Sequence, residues 1–229
     1  MTRPSVTKLV LSFTMTAMIA ASAFMVTPAH ANLFGGRTLH EPCCGGDGLW
    51  GSSSSITISV ISPDAYNCIA FRNDAEDGGP YNLLQAGLLR CGVSMNIYGT
   101  CSLYNNLVRF VEVRNSSGHH CYAHGDVSSD VEHDTAVQAY SGQSWTSWID
   151  GVYYEGNTQS HAFIAADVEY TGSGCDGWSL SGTFGSGSAY PWQRLRPDRM
   201  TWYTIQSAFT SADCMTVAGG PPGAFSVYR

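Results

Sequence analysis

The chain has 229 residues, of which 11 are Lys or Arg and 18 are Asp or Glu, so its formal charge at neutral pH is −7. Only 13% of the residues are charged, and Lys8 is the single lysine. Nucleic acids and anionic membranes are bound mainly through clusters of basic residues, which this chain does not offer. The composition therefore argues against both classes of partner.

Residues 1–31 are typical of a secretory signal peptide. Two basic residues precede an apolar segment over residues 9–26, and Ala29-His30-Ala31 matches the small-residue cleavage site. We therefore expect a secreted, extracellular protein that begins at Asn32. Cleavage would remove two basic and no acidic residues, which leaves 198 residues with a formal charge of −9, a length suited to one domain.

All eight cysteines follow the expected cleavage site, at positions 43, 44, 68, 91, 101, 121, 175 and 214. An even number of cysteines in a secreted chain predicts a disulfide framework. Cys91 and Cys101 flank a stretch that contains Gly, Ser and Asn, so they are candidates to close one hairpin. The adjacent Cys43 and Cys44 are expected to bond to different partners.

Two regions are predicted after the signal peptide. Residues 32–55 are rich in Gly and Ser and are expected to form an extended arm, pinned by its two cysteines. Residues 56–229 are expected to form a single domain. From Ile56 onward, short apolar and aromatic runs alternate with Gly, Ser, Asn and Asp, which predicts strands and turns. Ile56, Ile58 and Val60 are predicted to share one face of the first strand.

The strand pattern predicts an all-β fold, a disulfide-stapled sandwich or jelly roll of roughly ten or more strands. Asp150-Gly151 is a tight-turn signal between two of these strands. Residues 81–90 fit either a short helix with Asn82 as N-cap or a strand. The other predicted strands cover residues 107–114, 135–140, 145–149, 152–155, 162–170, 178–184 and 202–209.

Two polar residues stand alone among apolar neighbours. Glu112 follows Phe110 on one predicted strand face, and such surroundings favour a raised pKa, which suits general acid–base work. The alternative is a solvated face on which Glu112 pairs with Arg114. Gln85 is a single amide in an apolar run, and an amide donor can stabilise an oxyanion.

The densest group of potential metal ligands is His119-His120-Cys121 with His124 and Asp126, of which His119, Cys121 and His124 could form a site. A strand end followed by a turn would bring them together. The alternative, a disulfide cysteine flanked by surface histidines, is favoured in a cysteine-rich secreted chain. We therefore predict no metal and no other cofactor.

Aromatic residues provide candidate ligand-binding positions. Exposed aromatic rings on a sheet bind sugar rings or extended peptide, so Trp145, Trp148 and Phe110 are candidates. Trp145 and Trp148 are three residues apart, so on a strand they point to opposite faces. Ordinary core and edge packing is the alternative for all three residues.

Three segments in this order, Ile69-Ala70-Phe71-Arg72-Asn73-Asp74, Leu84-Gln85-Ala86-Gly87 and Val108-Arg109-Phe110-Val111-Glu112-Val113, resemble the glutamic peptidase (eqolisin) family and its neprosin-type relatives. Residues 162–169 are similar to the strand that carries the family's catalytic Glu. The resemblance covers separate segments of about residues 66–170. It implies a concanavalin-like β-sandwich in which residues 81–90 form a strand.

The resemblance also implies a chemistry. In the family, a Glu acts as general base on water and a Gln amide binds the oxyanion at acidic pH. Gln85 matches the catalytic Gln, and Glu112 matches the second acidic residue on the concave sheet. The position that best fits the catalytic Glu is Ala162, which cannot accept a proton, so Glu112 or Asp167 would have to serve as base.

Three functional hypotheses follow for a secreted, monomeric protein. The first is an acid-acting peptidase that uses Gln85, Glu112 and Asp167. The second is an extracellular module that binds glycan or extended polypeptide without cleaving it. The third is a purely structural surface protein, since nothing in the sequence requires a ligand.

Overall fold

The computed structural model contains two β-sheets packed face to face. It describes residues 33–35, 51–76, 83–97, 101–103, 105–139, 144–157, 163–172, 174–185, 193–195, 202–204, 214–219 and 224–229. These residues form seventeen strands and no helix, which confirms the all-β prediction. In the same ranges there is no helix long and apolar enough to cross a membrane. The predicted signal peptide lies outside the described residues.

The first sheet has eight strands, and all but one of its neighbouring pairs are antiparallel. The exception is the short parallel contact between β6 and β8. The spatial order is β1 (Leu33–Gly35), β12 (Phe163–Tyr170), β3 (Cys68–Glu76), β4 (Leu83–Cys91), β7 (Val108–Asn115), β8 (Gly118–Asp126), β6 (Cys101–Leu103) and β5 (Met95–Ile97).

The second sheet has nine strands. Seven follow the order β11 (Val152–Asn157), β10 (Trp145–Ile149), β9 (Glu132–Ala139), β2 (Gly51–Ser62), β13 (Ser179–Phe184), β17 (Phe225–Tyr228) and β16 (Thr216–Gly219). The remaining two, β14 (Gln193–Leu195) and β15 (Trp202–Thr204), pair with each other, and β14 also pairs with β2.

The main core lies between the two sheets. Alternate residues along each strand point into it, as the two-residue period of a strand requires. Phe71 of the first sheet stacks on Phe184 of the second at 5.8 Å between ring centroids, and Phe184 stacks on Phe225 at 4.6 Å. The intervening residues of the first sheet point to its outer face, away from this core.

One polar cluster is buried inside this core. Asn73 donates hydrogen bonds from Nδ2 to Ser54 Oγ and to Thr135 Oγ1, each at 2.6 Å, and accepts one from Ser52 Oγ at 2.7 Å. A buried polar group is tolerated when it is hydrogen-bonded, as here. These serines lie in β2, which begins at Gly51. The sequence had placed residues 51–55 in the extended arm instead.

The prediction that Ile56, Ile58 and Val60 share one face is wrong at Val60. The register between β2 and β13 shifts there, so that Gly182 is opposite Ile58 but Ser181 is opposite Val60. This bulge turns Val60 outward, where it is 45% exposed. Ile61 takes the inward position instead.

Residues 83–91 form strand β4, so the helix interpretation is wrong for this segment. The strand lies between β3 and β7, and nearly all its side chains are buried on both faces. The burial of a central strand on two faces explains its continuous apolar run. The predicted turn at Asp150-Gly151 is confirmed, with φ of 53° and 75° at these two residues.

Two disulfides are described in full, Cys68–Cys91 and Cys175–Cys214, and Cys121 is also disulfide-bonded. Cys68 and Cys91 are directly opposite on β3 and β4, with 4.0 Å between their Cα atoms. The proposed Cys91–Cys101 pairing is therefore wrong, because strand pairing rather than closeness in sequence decided the partner.

Candidate active site

The outer face of the first sheet carries a row of polar residues. Directly opposed residues of an antiparallel pair share a face, and the register aligns Asp74 of β3, Gln85 of β4 and Glu112 of β7. Ala165 of β12 and Cys121 of β8 extend the row at its two ends. Gln85 is thus flanked by a carboxylate on each neighbouring strand.

The row is shielded from solvent to different degrees. Asp74 and Gln85 are buried, whereas the Glu112 side chain is 18% exposed. Within the described residues, Gln85 Oε1 has no hydrogen-bond partner. An amide that is not committed to the protein's own groups is a candidate to bind a ligand.

Arg72 organises the acidic side of this face. Its guanidinium donates to Asp167 Oδ1 at 2.8 Å and to Glu169, and lies 3.4 Å from Asp74 Oδ2. Burial would lower the pKa of Arg72, but the three carboxylates hold it well above its ordinary value. Arg72 is therefore a fixed cation that orients Asp74 beside Gln85.

Glu112 is hydrogen-bonded to two basic side chains. His119 Nε2 lies 2.5 Å from Oε1, and Arg114 donates to the same oxygen at 3.3 Å. Burial would raise the pKa of Glu112, but the hydrogen bond and charge of His119, with smaller contributions from Arg114 and Arg72, bring it below its ordinary value. The prediction of a raised pKa is therefore wrong, and the pairing of Glu112 with Arg114, which was the alternative, agrees with the structure.

The structure separates Asp167 from the Gln85–Glu112 pair. Asp167 lies on β12, two strands away from Gln85, and its Cα partner on β3 is Arg72. Its carboxylate is fully buried and bonded to Arg72. Ala162 lies outside the described residues. Of the two candidate bases, only Glu112 neighbours Gln85.

The predicted aromatic ligand-binding residues do not gather around this row. Trp145 is 3% exposed and packs in the main core. Trp148 alternates with it on β10 and contacts Tyr153 on the outer face of the second sheet, on the far side of the sandwich. Phe110 shares the face of Glu112 but is buried in a small apolar cluster with Leu89 and Val108.

The predicted alternative for the histidine cluster agrees with the structure. The ligand atoms of Glu112, His119 and Cys121 lie within 4.8 Å of one another, a spacing that a metal site would need. Cys121 is disulfide-bonded, however, so its sulfur is not a thiolate ligand. His124 packs elsewhere, 4.3 Å from the ring of Tyr154. These residues therefore do not form a metal centre.

Two residues of this face, Arg72 and Asp74, were missed as site residues, and His119 was considered only as a potential metal ligand. A signal for the first two exists in the sequence, because Arg72-Asn73-Asp74 interrupts a strand that begins with Ile69-Ala70-Phe71. No local signal distinguishes His119 from its neighbour His120. Only the pairing of β7 with β8 shows which histidine faces Glu112.

The fold was compared with known proteins. No family model and no curated protein sequence matches the chain. Among solved structures, scytalido-glutamic peptidase with a peptide-based transition-state analogue matches with a TM-score of 0.53 and 13% identity, covering 86% of this chain and 98% of that chain. SCP-B, an eqolisin peptidase in complex with the tripeptide Ala-Ile-His, matches with a TM-score of 0.50 and 12% identity over the same shares of the two chains.

These likenesses establish the fold. The chain has the two-sheet sandwich of the eqolisin glutamic peptidases, as the resemblance of the short motifs predicted. At 12–13% identity the comparison speaks for the architecture alone.

Proposed function

We propose that the chain is a secreted, monomeric hydrolase that cleaves polypeptides at acidic pH, with Glu112 as general base and Gln85 as oxyanion donor. One observation carries the proposal. The two residues are directly opposite on adjacent strands, on the outer face of a glutamic-peptidase-like sheet. Neighbouring strands lie about 4.8 Å apart, so both side chains can reach one substrate group.

The proposed reaction is the addition of water to a peptide bond. Glu112 accepts a proton from water as the water oxygen bonds to the peptide carbon, and the Gln85 amide donates a hydrogen bond to the oxyanion that forms. The proton then passes from Glu112 to the departing amine as the carbon–nitrogen bond breaks. The carboxylate is regenerated, and the products are an acid and an amine.

The electrostatics of Glu112 suit acidic conditions. A carboxylate accepts a proton only while it is ionised. Although burial opposes ionisation, the contact with His119 lowers the pKa of Glu112. Glu112 would therefore remain a base at an acidity at which an ordinary glutamate is protonated.

The test is cleavage of an unfolded protein between about pH 2 and pH 7. We expect Glu112→Gln and Gln85→Ala each to reduce kcat by about a hundredfold or more. Glu132→Gln and Gln138→Ala, on the second sheet, are matched controls that should retain activity. Unchanged cleavage by Glu112→Gln would refute the assignment.

A second candidate function is binding without cleavage. It is favoured by the ion pairs on this face of the first sheet. The carboxylates of Asp74, Asp167 and Glu169 all contact Arg72, and the carboxylate of Glu112 contacts Arg114. A folded protein that binds an unfolded polypeptide or a glycan, but cleaves no substrate at any pH, would support this function. Tryptophan fluorescence during titration with each ligand would measure the binding.

A further inference from the structure

The two basic neighbours of Glu112 contact one and the same oxygen. His119 and Arg114 both approach Oε1. Within the described part of the chain, Oε2 makes no hydrogen bond. The carboxylate is therefore held asymmetrically, with one oxygen fixed by the protein and the other left for a ligand or water.

The strand register explains why His119 can reach this carboxylate. His119 is directly opposite Arg114, and Cys121 is directly opposite Glu112, so the imidazole reaches diagonally across the strand pair. A tight turn at Asn115–Gly118 joins the two strands, and Asn115 Oδ1 accepts a hydrogen bond from Ser117 N at 2.8 Å. The turn and the ladder hold His119 in place.

We propose that His119 is the positioning residue for Glu112, donating from Nε2 to Oε1 so that Oε2 takes the proton of the attacking water. The inference rests on the proposed hydrolytic function and deepens it. His119 touches neither the substrate nor the water in this arrangement. It acts through the carboxylate that it orients.

Charged groups on several strands surround Glu112. Arg114 and His119 touch it, Arg72 and Asp74 follow beyond the neutral Gln85, and Asp167 lies further out on β12. His119 lowers the pKa of Glu112 more than the two arginines do. Loss of His119 should therefore narrow the acidic range in which Glu112 is ionised.

The first test measures the carboxylate directly. NMR titration of protein labelled at the glutamate carboxyl carbons gives the pKa of Glu112, with Glu112→Gln to identify its signal. We expect this pKa to rise in His119→Ala and to rise less in His119→Gln, because glutamine keeps a donor but not the charge. The control His120→Ala changes the adjacent histidine, which faces away from Glu112, and should leave the signal in place.

The second test measures the reaction with an unfolded protein as substrate. The acid limb of kcat/KM reports the pKa of the base, so in His119→Ala it should move to higher pH together with the Glu112 signal. At a pH below the acid limbs of both proteins, kcat/KM of His119→Ala should be lower than that of the wild type, by about tenfold for each pH unit by which its acid limb has moved. His119→Gln should recover part of the loss, and KM should change less than kcat.

The outcomes separate the two proposals. A Glu112 signal that stays in place in a folded His119→Ala protein overturns the role of His119, even if the protein cleaves its substrate. If the wild-type protein cleaves nothing while the Glu112 signal still moves in His119→Ala, the hydrolytic function is overturned. That result supports only the contact by which His119 orients the Glu112 carboxylate. Folding of each variant is verified from the dispersion of its amide spectrum.

Discussion

Gly87 is the residue of β4 at which the neighbouring strand leaves no room for a side chain. A Cβ atom at Gly87 would lie 2.1 Å from the carbonyl oxygen of Phe71 and 2.7 Å from the Cα of Arg72. Both are backbone atoms of β3, so the strand itself would have to move. We expect Gly87→Ala to lower the free energy of unfolding by about 1–3 kcal/mol, as overpacking does.

Urea denaturation measures this loss. Gly174→Ala is the matched control, since a Cβ at Gly174 meets no heavy atom within 4 Å. The control should stay within about 0.5 kcal/mol of the wild type. Equal stability of both variants would contradict the close approach of β3 and β4, on which the alignment of Asp74 with Gln85 depends.

At the scale of the strand, Asn73 joins β3 to the second sheet. Replacement by Leu would leave the hydroxyl groups of Ser52, Ser54 and Thr135 facing an apolar side chain in the core. Ser52 and Thr135 keep hydrogen bonds to the carbonyl oxygens of Ala165 and Ser54, so the Ser54 hydroxyl is the group left unsatisfied, and we expect Asn73→Leu to destabilise the protein by about 1–3 kcal/mol. Thermal or urea unfolding would measure this loss of stability.

Ser53→Ala provides the comparison, because Ser53 alternates with Ser52 and Ser54 and faces away from Asn73. We expect it to change stability little. If Asn73→Leu is as stable as Ser53→Ala, the buried cluster is not what fixes β3 against β2.

A second contact between the sheets depends on pH. Asp150, in the turn between β10 and β11, accepts hydrogen bonds from Arg109 of the first sheet at 2.8 Å and from His133 of β9 at 3.0 Å. Burial would raise the pKa of Asp150, but the bonds to His133 and Arg109 lower it. Its stabilising effect is therefore complete above the unfolded pKa of about 3.9 and is lost as the pH falls through the lower folded value.

Asp150→Asn is expected to be less stable than the wild type near neutral pH, by less than about 1 kcal/mol because the pair is partly exposed. The difference should shrink as the pH falls from about 5 towards 2. Asparagine tolerates the positive φ of this turn, so the substitution tests the charge. Unfolding curves across this pH range give the difference, and a gap that widens in acid would contradict the lowered pKa.

At the scale of the molecule, the Cys175–Cys214 bond connects residues 39 apart in sequence, just before β13 and just before β16. Closing a loop of this size restricts the unfolded chain by about 4 kcal/mol. We expect the double variant Cys175→Ala, Cys214→Ala to lose a stability of this order in guanidinium denaturation. Under reducing conditions the wild type and the variant should unfold together; a remaining gap would assign the effect to packing instead.

The all-β class and several strands could be predicted from the sequence because their signals are local. Alternating side chains in residues 145–149, and Asp150-Gly151 after them, predict a strand and a turn without reference to the rest of the chain. Gln85 and Glu112 were likewise predicted as a pair, from lone polar residues in apolar strands and the resemblance of short motifs.

The features that could not be predicted depend on pairing between strands that are far apart in the sequence. The bulge that exposes Val60, the Cys68–Cys91 bond and the choice of His119 over His120 all depend on which residue of a distant strand lies opposite. Asn73 can be buried because side chains of β2 and β9 accept its hydrogen bonds. The pKa of Glu112 is lowered because β8 supplies a histidine. The sequence by itself determined the kind of sheet, whereas the tertiary structure alone brought these partners together, since hydrogen bonds and charges act through space.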